Sequence, residues 1–285
     1  SVFKVNRLSA HEALGTRAAS PRWAVAWKFE TRRESTTIQD VEISVGRTGT
    51  LTPVAILDPV WIGGVEVTHV TLHNQDEIDR KDIAVGDRVL VERAGDVIPH
   101  VVRVTRREKG NRQRIRLPSE CPACGRPVSR AEGEAVVRCI NVSCPARVKE
   151  SIRHFASKGA LDMDGLGDKL VNRLVEKGVV DDYSDLFELA PEDLTDLDRM
   201  GRKSAENVVS AIQQARERVT LARLIYALGI RHVGQAVAAD LACEFGSMEN
   251  LAQASEERLR RMEGIGTTIA SAIVQWFSDS RNRQL

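Results

Sequence analysis

Cys121-Pro122-Ala123-Cys124-Gly125 and Cys139-Ile140-Asn141-Val142-Ser143-Cys144-Pro145 are the stretches around which the chain is organised. The two cysteine pairs are spaced Cys-x2-Cys and Cys-x4-Cys, with fourteen residues between them. Two short turns that each present a pair of sulfurs can close a tetrahedral zinc shell. Pro122, Gly125 and Pro145 supply the turn chemistry that such knuckles need. The competing readings are two disulfides or four unrelated buried thiols. A shell filled by four thiolates leaves no open coordination position, so Cys121, Cys124, Cys139 and Cys144 are expected to hold a structural zinc that fixes the angle between flanking domains. The stretch also divides the chain, because strand-like patterns precede it and helical ones follow.

At 285 residues the chain is long enough for two or three domains. No run of eighteen apolar residues exists, and Ser1-Val2-Phe3-Lys4 opens neither a signal peptide nor a cleavage site. The expected location is therefore the cytoplasm, without a membrane partner, where thiols stay reduced and metal is favoured over disulfide. Cys243, in an apolar helical pattern, reads as a small core residue. A net charge of +1 announces no nucleic-acid partner. Its distribution says more: Arg103, Arg106, Arg107, Lys109, Arg112, Arg114 and Arg116 crowd the approach to the cysteines with only Glu108 among them. Such a run is a solvated linker or a track for phosphates.

Before the cysteines the pattern is β. Ser1 to Val5 and Trp23 to Phe29 read as short buried strands that cannot make a stable sheet alone, the edge of something larger. From about Thr31 to Arg107, Val41, Ile43 and Val45 alternate, Gly46-Arg47-Thr48-Gly49 makes a turn, and Leu51 to Val60 carries two prolines. Gly63-Gly64 makes a second turn, a short polar helix fits His73 to Arg80, and Arg88 to Arg93 and Val97 to Val104 flank Ala94-Gly95-Asp96. Some five strands and one small helix suit a closed oligonucleotide-binding barrel, with a sandwich as the alternative. Arg47 with Thr48, and Arg93 before Gly95, set a cation beside a glycine turn, which can meet a phosphate or can be surface arginine at a hairpin. Val97 and Ile98 are core, or an apolar ledge for a nucleotide sugar.

After Cys144 one unit recurs four times: Gly165-Leu166-Gly167, Met200-Gly201, Gly229-Ile230 with Val233-Gly234, and Gly264-Ile265-Gly266 each precede an amphipathic run. Copies at intervals of roughly 30 to 35 residues amount to an internal repeat of helical hairpins. The glycines permit unusual dihedrals and the apolar residue plugs the space between helices. The next helix then aims free amides outward, a phosphate cradle without sequence readout. A plain helical bundle with glycine C-caps is the alternative. In the second copy Arg199 stands where the first glycine would, so that turn is expected to be less tight.

Barrel, four-cysteine knuckle and helix-hairpin-helix units in this order resemble the C-terminal half of the bacterial NAD-dependent DNA ligases. The resemblance covers the whole chain and rests on Lys4-Val5-Asn6, Pro21-Arg22-Trp23-Ala24-Val25-Ala26-Trp27-Lys28-Phe29, Val45-Gly46-Arg47-Thr48-Gly49, Thr71-Leu72-His73-Asn74 and Glu92-Arg93-Ala94-Gly95-Asp96-Val97-Ile98-Pro99. It implies a multidomain chain: the edge of an adenylation domain over 1–30, an all-β OB-fold barrel over 31–117, a small four-cysteine zinc finger over 118–148 and an all-α helix-hairpin-helix domain over 149–285. It also implies NAD and Mg for a complete enzyme that passes AMP to the 5′-phosphate of a nick in duplex DNA. Lys4 and Lys28 resemble the lysines of the nucleotide pocket that act on the AMP phosphate. Arg47 and Thr48 resemble the barrel turn that meets the nick, and Arg93, Val97 and Ile98 the residues that grip the strand. Gly165, Gly167, Gly201, Gly229, Gly234, Gly264 and Gly266 fall on the DNA-binding turns.

The departure is large. The family's nucleophile lies in Lys-x-Asp-Gly, whereas the one Asp-Gly here, Asp164-Gly165, is preceded by Asp162. With no NAD-binding domain before Ser1 and no BRCT domain after Leu285, the chain is expected to be a ligase fragment or incomplete gene product, unable to adenylate itself without its missing N-terminal half. The alternative function is a non-catalytic module for nicked or branched DNA, which would have no need of Lys4 and Lys28. A zinc-containing scaffold is a third reading, and it leaves the phosphate cradles unexplained.

Overall fold

The computed structural model describes residues 1–17, 20–27, 32–94, 98–110, 112–198 and 200–284. They divide into two units, the first formed by residues 1–44, 50–122 and 128–138 and the second by residues 45–49, 123–127 and 139–285.

In the first unit five strands close a barrel. In chain order they are Arg33–Val45, Leu51–Ile62, Val65–Thr71, Arg88–Ala94 and Ile98–Arg106. Alternation drives them: from Leu51 to Leu57 every second residue is buried, the period that turns one face of a strand inward. Pro59, which cannot donate to a ladder, sits where the register between Leu51–Ile62 and Val65–Thr71 shifts between Ile56 and Val60. Closure comes from a parallel pairing of His100 with Thr71, while Arg88–Ala94 pairs antiparallel with both Ile98–Arg106 and Arg33–Val45. Ile38, Leu57, Ile62, Val70, Val89, Val91 and Val101 fill the interior.

The polar helix runs Gln75–Lys81, slightly later than its sequence suggests. Asn74 caps it by accepting from the Glu77 amide, and His73 before it takes φ +65°.

The basic run proves to be neither bare linker nor phosphate track along its whole length. Arg107 pairs with Asp82 at 2.7 Å and Arg116 with Asp79 at 3.0 Å. Arg112 reaches Asp82 at 3.0 Å and the fully buried Asp87 at 3.1 Å. Asp87 also accepts from the amides of Ala84 at 3.0 Å and Glu108 at 3.1 Å, so one carboxylate fastens two loops and an arginine.

The N-terminal strands need correction. Val2–Lys4 and Ala24–Ala26 pair antiparallel as a two-stranded ribbon, but they are not buried: Phe3 is 64% and Trp27 62% exposed. Two strands have no second layer of their own to cover them.

The second unit is helical and holds two cores. Ile152, Phe155, Leu170, Leu174, Leu186, Leu194 and Ile212 belong to one. Ile225, Ile230, Leu241, Leu251, Leu259, Ile273 and Phe277 belong to the other. The helix pairs Pro145–Ala156/Asp168–Glu176 and Pro191–Thr195/Arg202–Arg218 supply the first core. Leu221–Ala227/Gln235–Phe245 and Glu256–Arg260/Thr267–Ser278 supply the second, so the fourfold repeat is a tandem of two double hairpins. Cys243 is exposed, not a core residue: on Gln235–Phe245 the buried face is Ala238, Leu241 and Phe245, and Cys243 lies two positions from Leu241.

Candidate metal centre and nucleic-acid interface

The four Sγ atoms of Cys121, Cys124, Cys139 and Cys144 lie within 4.8 Å of one another, and those of Cys124 and Cys139 are 3.6 Å apart. A disulfide would need about 2.05 Å. Sulfurs about 2.3 Å from a zinc ion at tetrahedral angles stand about 3.8 Å from each other, so the donor set fits a four-thiolate structural zinc. Three of the cysteines are buried and Cys124 is partly so. The first knuckle turns at Gly125 with φ +66°. In the second, Asn141 accepts from the Ser143 amide at 3.1 Å through its side chain and from the Cys144 amide at 3.2 Å through its carbonyl. Cys144 then stands at the N-cap of Pro145–Ala156, where a proline in the first turn sacrifices no helical hydrogen bond.

The second helices of the four hairpins start alike. Asp168–Glu176, Arg202–Arg218, Gln235–Phe245 and Thr267–Ser278 have Gly167, Gly201, Gly234 and Gly266 as N-caps, all in extended conformation and all without a side-chain cap. Each of these glycines is exposed, and a Cβ placed on any of them would meet nothing within 4 Å. Two of the first helices contrast with them, since Thr220 caps Leu221–Ala227 and Ser255 caps Glu256–Arg260. The first amides of a helix have no intrahelical acceptor and carry the positive end of its dipole. Leaving four such ends open to solvent provides four places for an anion. They differ in charge: Arg202 and Lys203 open the second, whereas Asp168 opens the first, 3.1 Å from Arg153.

The turn before each glycine is built on a left-handed residue and a buried plug. Gly165 at φ +89° and Gly264 at φ +81° precede the buried Leu166 and Ile265. In the third hairpin this place belongs to His232 at φ +66°, before the buried Val233. Gly229, expected in that role, lies three residues earlier, also left-handed at φ +66°, in the place that Asp162 holds in the first hairpin at φ +58°. His232 and Asp162 escaped the sequence reading because neither residue type announces a positive φ. The spacing of Val233-Gly234, the same as Leu166-Gly167 and Ile265-Gly266, was the available signal. Arg199, on which the expected looseness of the second turn rested, lies outside the described residues.

Family models agree with this anatomy. Residues 35–113 match the NAD-dependent DNA ligase OB-fold domain and residues 120–146 the NAD-dependent DNA ligase C4 zinc finger domain. The barrel and the zinc finger thus each match a domain of the NAD-dependent DNA ligases. Residues 158–214 match the SAM-like helix-hairpin-helix tandem and residues 223–285 the helix-hairpin-helix motif. The chain is 53% identical over 99% of its length to a DNA ligase of Desulfosudis oleivorans, and 50% identical over its full length to a DNA ligase of Halothermothrix orenii. A DNA ligase of Nitrosococcus oceani is 51% identical over the full chain. The chain spans 42% of the length of each of these ligases.

The residues that the ligase resemblance singles out are placed as follows. Lys4 ends the Val2–Lys4 strand, exposed, opposite Ala24. Lys28 and Val97 lie outside the described residues, and Ile98 opens its strand opposite Ala94. Arg93 is partly buried opposite Pro99. Arg47 and Thr48 belong to the second unit, where the Arg47 guanidinium donates to the Gly229 carbonyl. Burial lowers the pKa of Arg47, with Tyr226 acting in the opposite sense. Thus Gly229 meets an arginine side chain rather than opening a helix. Among the described residues no helix is long and apolar enough to cross a membrane.

Proposed function

We propose that this chain is the DNA-binding C-terminal portion of an NAD-dependent DNA ligase, acting in the cytoplasm on nicked duplex DNA. The observation that carries the reading is the set of four solvent-open helix N-termini beginning at Gly167, Gly201, Gly234 and Gly266. Amides at a helix start bind phosphate oxygens without touching base edges, so these turns hold duplex backbone irrespective of sequence. Gly165, Gly264 and His232 shape the turns, while Arg202 and Lys203 add charge.

In this reading residues 1–30 are the edge of an adenylation domain, 31–117 the barrel domain, 118–148 the zinc finger and 149–285 the hairpin domain. The zinc is structural and holds its knuckles in place. NAD, when bound by the complete enzyme with Mg, supplies the AMP that activates the 5′-phosphate of a nick. Lys4 and Lys28 bring positive charge to the AMP phosphate, which favours transfer by neutralising charge as it develops. Arg93, Val97 and Ile98 hold the strand at the nick, as do Arg47 and Thr48 once Arg47 leaves Gly229. The chain by itself does not adenylate, because Asp164-Gly165 lies in a helical turn and is not preceded by the family's lysine.

The test joins two measurements on the chain. It is expected to bind nicked duplex, and to remain unlabelled when incubated with NAD carrying a radioactive adenylate. Failure to bind nicked duplex would refute the reading, and a covalent adenylate would refute the claim that this chain lacks the nucleophile. Adding an N-terminal ligase half separates a ligase from a mere binding module. Restored nick sealing that Lys4→Ala weakens supports the first, and sealing indifferent to this chain supports the second.

A further inference from the structure

The barrel of the first unit is polarised in charge around its ring. Its strands close in the order Ile98–Arg106, Val65–Thr71, Leu51–Ile62, Arg33–Val45 and Arg88–Ala94. Ile98–Arg106 and Arg88–Ala94 are neighbours and basic, with Arg103 and Arg106 on the first and Arg88 and Arg93 on the second. The other three strands carry the opposite sign. Residues 34–44 and 51–71 hold Glu34, Asp40, Glu42, Asp58 and Glu66, all exposed, and no lysine or arginine, although the chain has 41 of these cations. Asp58 accepts from the Gln39 side-chain amide at 2.6 Å and Asp40 from the Val41 amide at 2.8 Å, neutral donors that leave both charges in place. Leu51–Ile62 is the strand furthest round the ring from the basic pair.

Trp61 stands near the end of that strand, 65% exposed. It lies directly opposite Glu66, so indole and carboxylate leave the same face of the sheet. Val65, also exposed, follows the turn at Gly63 and Gly64. Phe3 and Trp27 are exposed because their ribbon has no second layer, but this barrel is closed and its core is filled by Ile62 and Val67 without help from Trp61. An aromatic face beside a carboxylate attracts an ammonium or guanidinium group, and the surrounding acids repel phosphate. Tryptophan is also a residue on which protein interfaces concentrate their binding energy. We propose that Trp61, Val65 and Glu66 form a docking surface for a second protein, one that presents an apolar side chain flanked by lysine or arginine. A closed ring offers no free strand edge, so the contact is made by side chains rather than by strand addition. That DNA lies on the opposite strands, at Arg93 and Ile98, rests on the ligase reading; the acidity of this face does not.

The experiment titrates the full chain into a short labelled peptide of arginine, leucine and serine, read by fluorescence anisotropy, and into its counterpart with glutamate in place of arginine. Saturable binding of the arginine peptide alone is expected, weakened about tenfold by Trp61→Ala and several-fold by Glu66→Gln. Trp61→Phe, which keeps an aromatic face, should retain most of it, and Glu192→Gln, on a helix of the second unit, should retain all of it. Thermal melts establish that the variants are folded, and nicked duplex should bind all of them alike. A chain that bound no DNA would refute the ligase reading and leave the peptide result standing. No saturable binding of the arginine peptide, or equal binding by Trp61→Ala, would overturn the proposal. So would a tenfold loss of duplex affinity in Trp61→Ala, which would give this face to DNA. Displacement of the peptide by an added N-terminal ligase half, or a dimer in sedimentation that Trp61→Ala dissolves, would overturn it in favour of an interface within the ligase or between two copies.

Discussion

Gly266→Asp separates a glycine required by the backbone from a glycine kept open for a ligand. Gly266 has φ −84° and ψ 177°, a conformation any residue adopts, and a Cβ there meets nothing within 4 Å. The substitution therefore introduces no strain. An aspartate at this N-cap would accept from the free amides of Thr267–Ser278, worth a few tenths of a kcal/mol over glycine. It would also interact with the helix dipole for about 0.3–1 kcal/mol. Together the two effects should raise stability by roughly 0.5–1 kcal/mol. Affinity for nicked duplex should move the other way, about tenfold weaker, because the carboxylate occupies the amides and repels phosphate. Denaturant unfolding reads the first quantity and fluorescence anisotropy with labelled nicked duplex the second. Gly264→Ala, two residues earlier, is the contrast: at φ +81° it should lose about 1 kcal/mol of stability from backbone strain alone. A Gly266→Asp chain that is less stable by 1 kcal/mol or more, or that binds DNA as before, would refute the reasoning.

Other outcomes follow from the remaining features. Metal analysis should find one zinc per chain, and Cys144→Ser should abolish it together with the order of the zinc finger, as amide exchange over 118–148 would reveal; retained metal would contradict the four-sulfur site. Asp87→Ala should destabilise the barrel by about 3 kcal/mol in denaturant unfolding, because it leaves Arg112 and two amides without their shared acceptor. His154, whose Nε2 lies 2.8 Å from the Tyr226 carbonyl, has its pKa lowered chiefly by burial, with the Tyr226 hydrogen bond opposing and Arg47 adding to the shift. A base with a depressed folded pKa contributes least at acid pH. Stability should therefore be full above about pH 6.5 and decline as the pH falls toward the folded pKa, a step that His154→Gln should remove from a pH series of melts.

Where local pattern governs structure, the sequence was informative. Alternation from Leu51 to Leu57 announces a half-buried strand, and the spacing of Cys121, Cys124, Cys139 and Cys144 announces two knuckles around one ion. The hairpins were visible through Gly167, Gly201, Gly234 and Gly266, because helix starts carry local chemistry. What stayed hidden depends on partners remote in the chain or on backbone angles that residue type does not dictate. Asp87 gives no sign that it will meet Arg112, and nothing near Arg47 points to Gly229. His232 adopts a left-handed conformation that glycine usually fills, so Gly229 took its place in the reading. Cys243 and the ribbon at Phe3 and Val25 look apolar enough for a core, yet burial requires a neighbour on the right face.

The most direct test of backbone recognition without base readout is the salt dependence of binding to two nicked duplexes of unrelated sequence. Lys169, Arg202 and Lys203 supply three cations in the first turns of the hairpin helices. At about 0.9 ions released per neutralised phosphate, the slope of log K against log salt should be about −3 or steeper. The account predicts this slope for both duplexes, with affinities equal within a factor of about two. A flat salt response, or a preference of tenfold or more for one sequence, would contradict it.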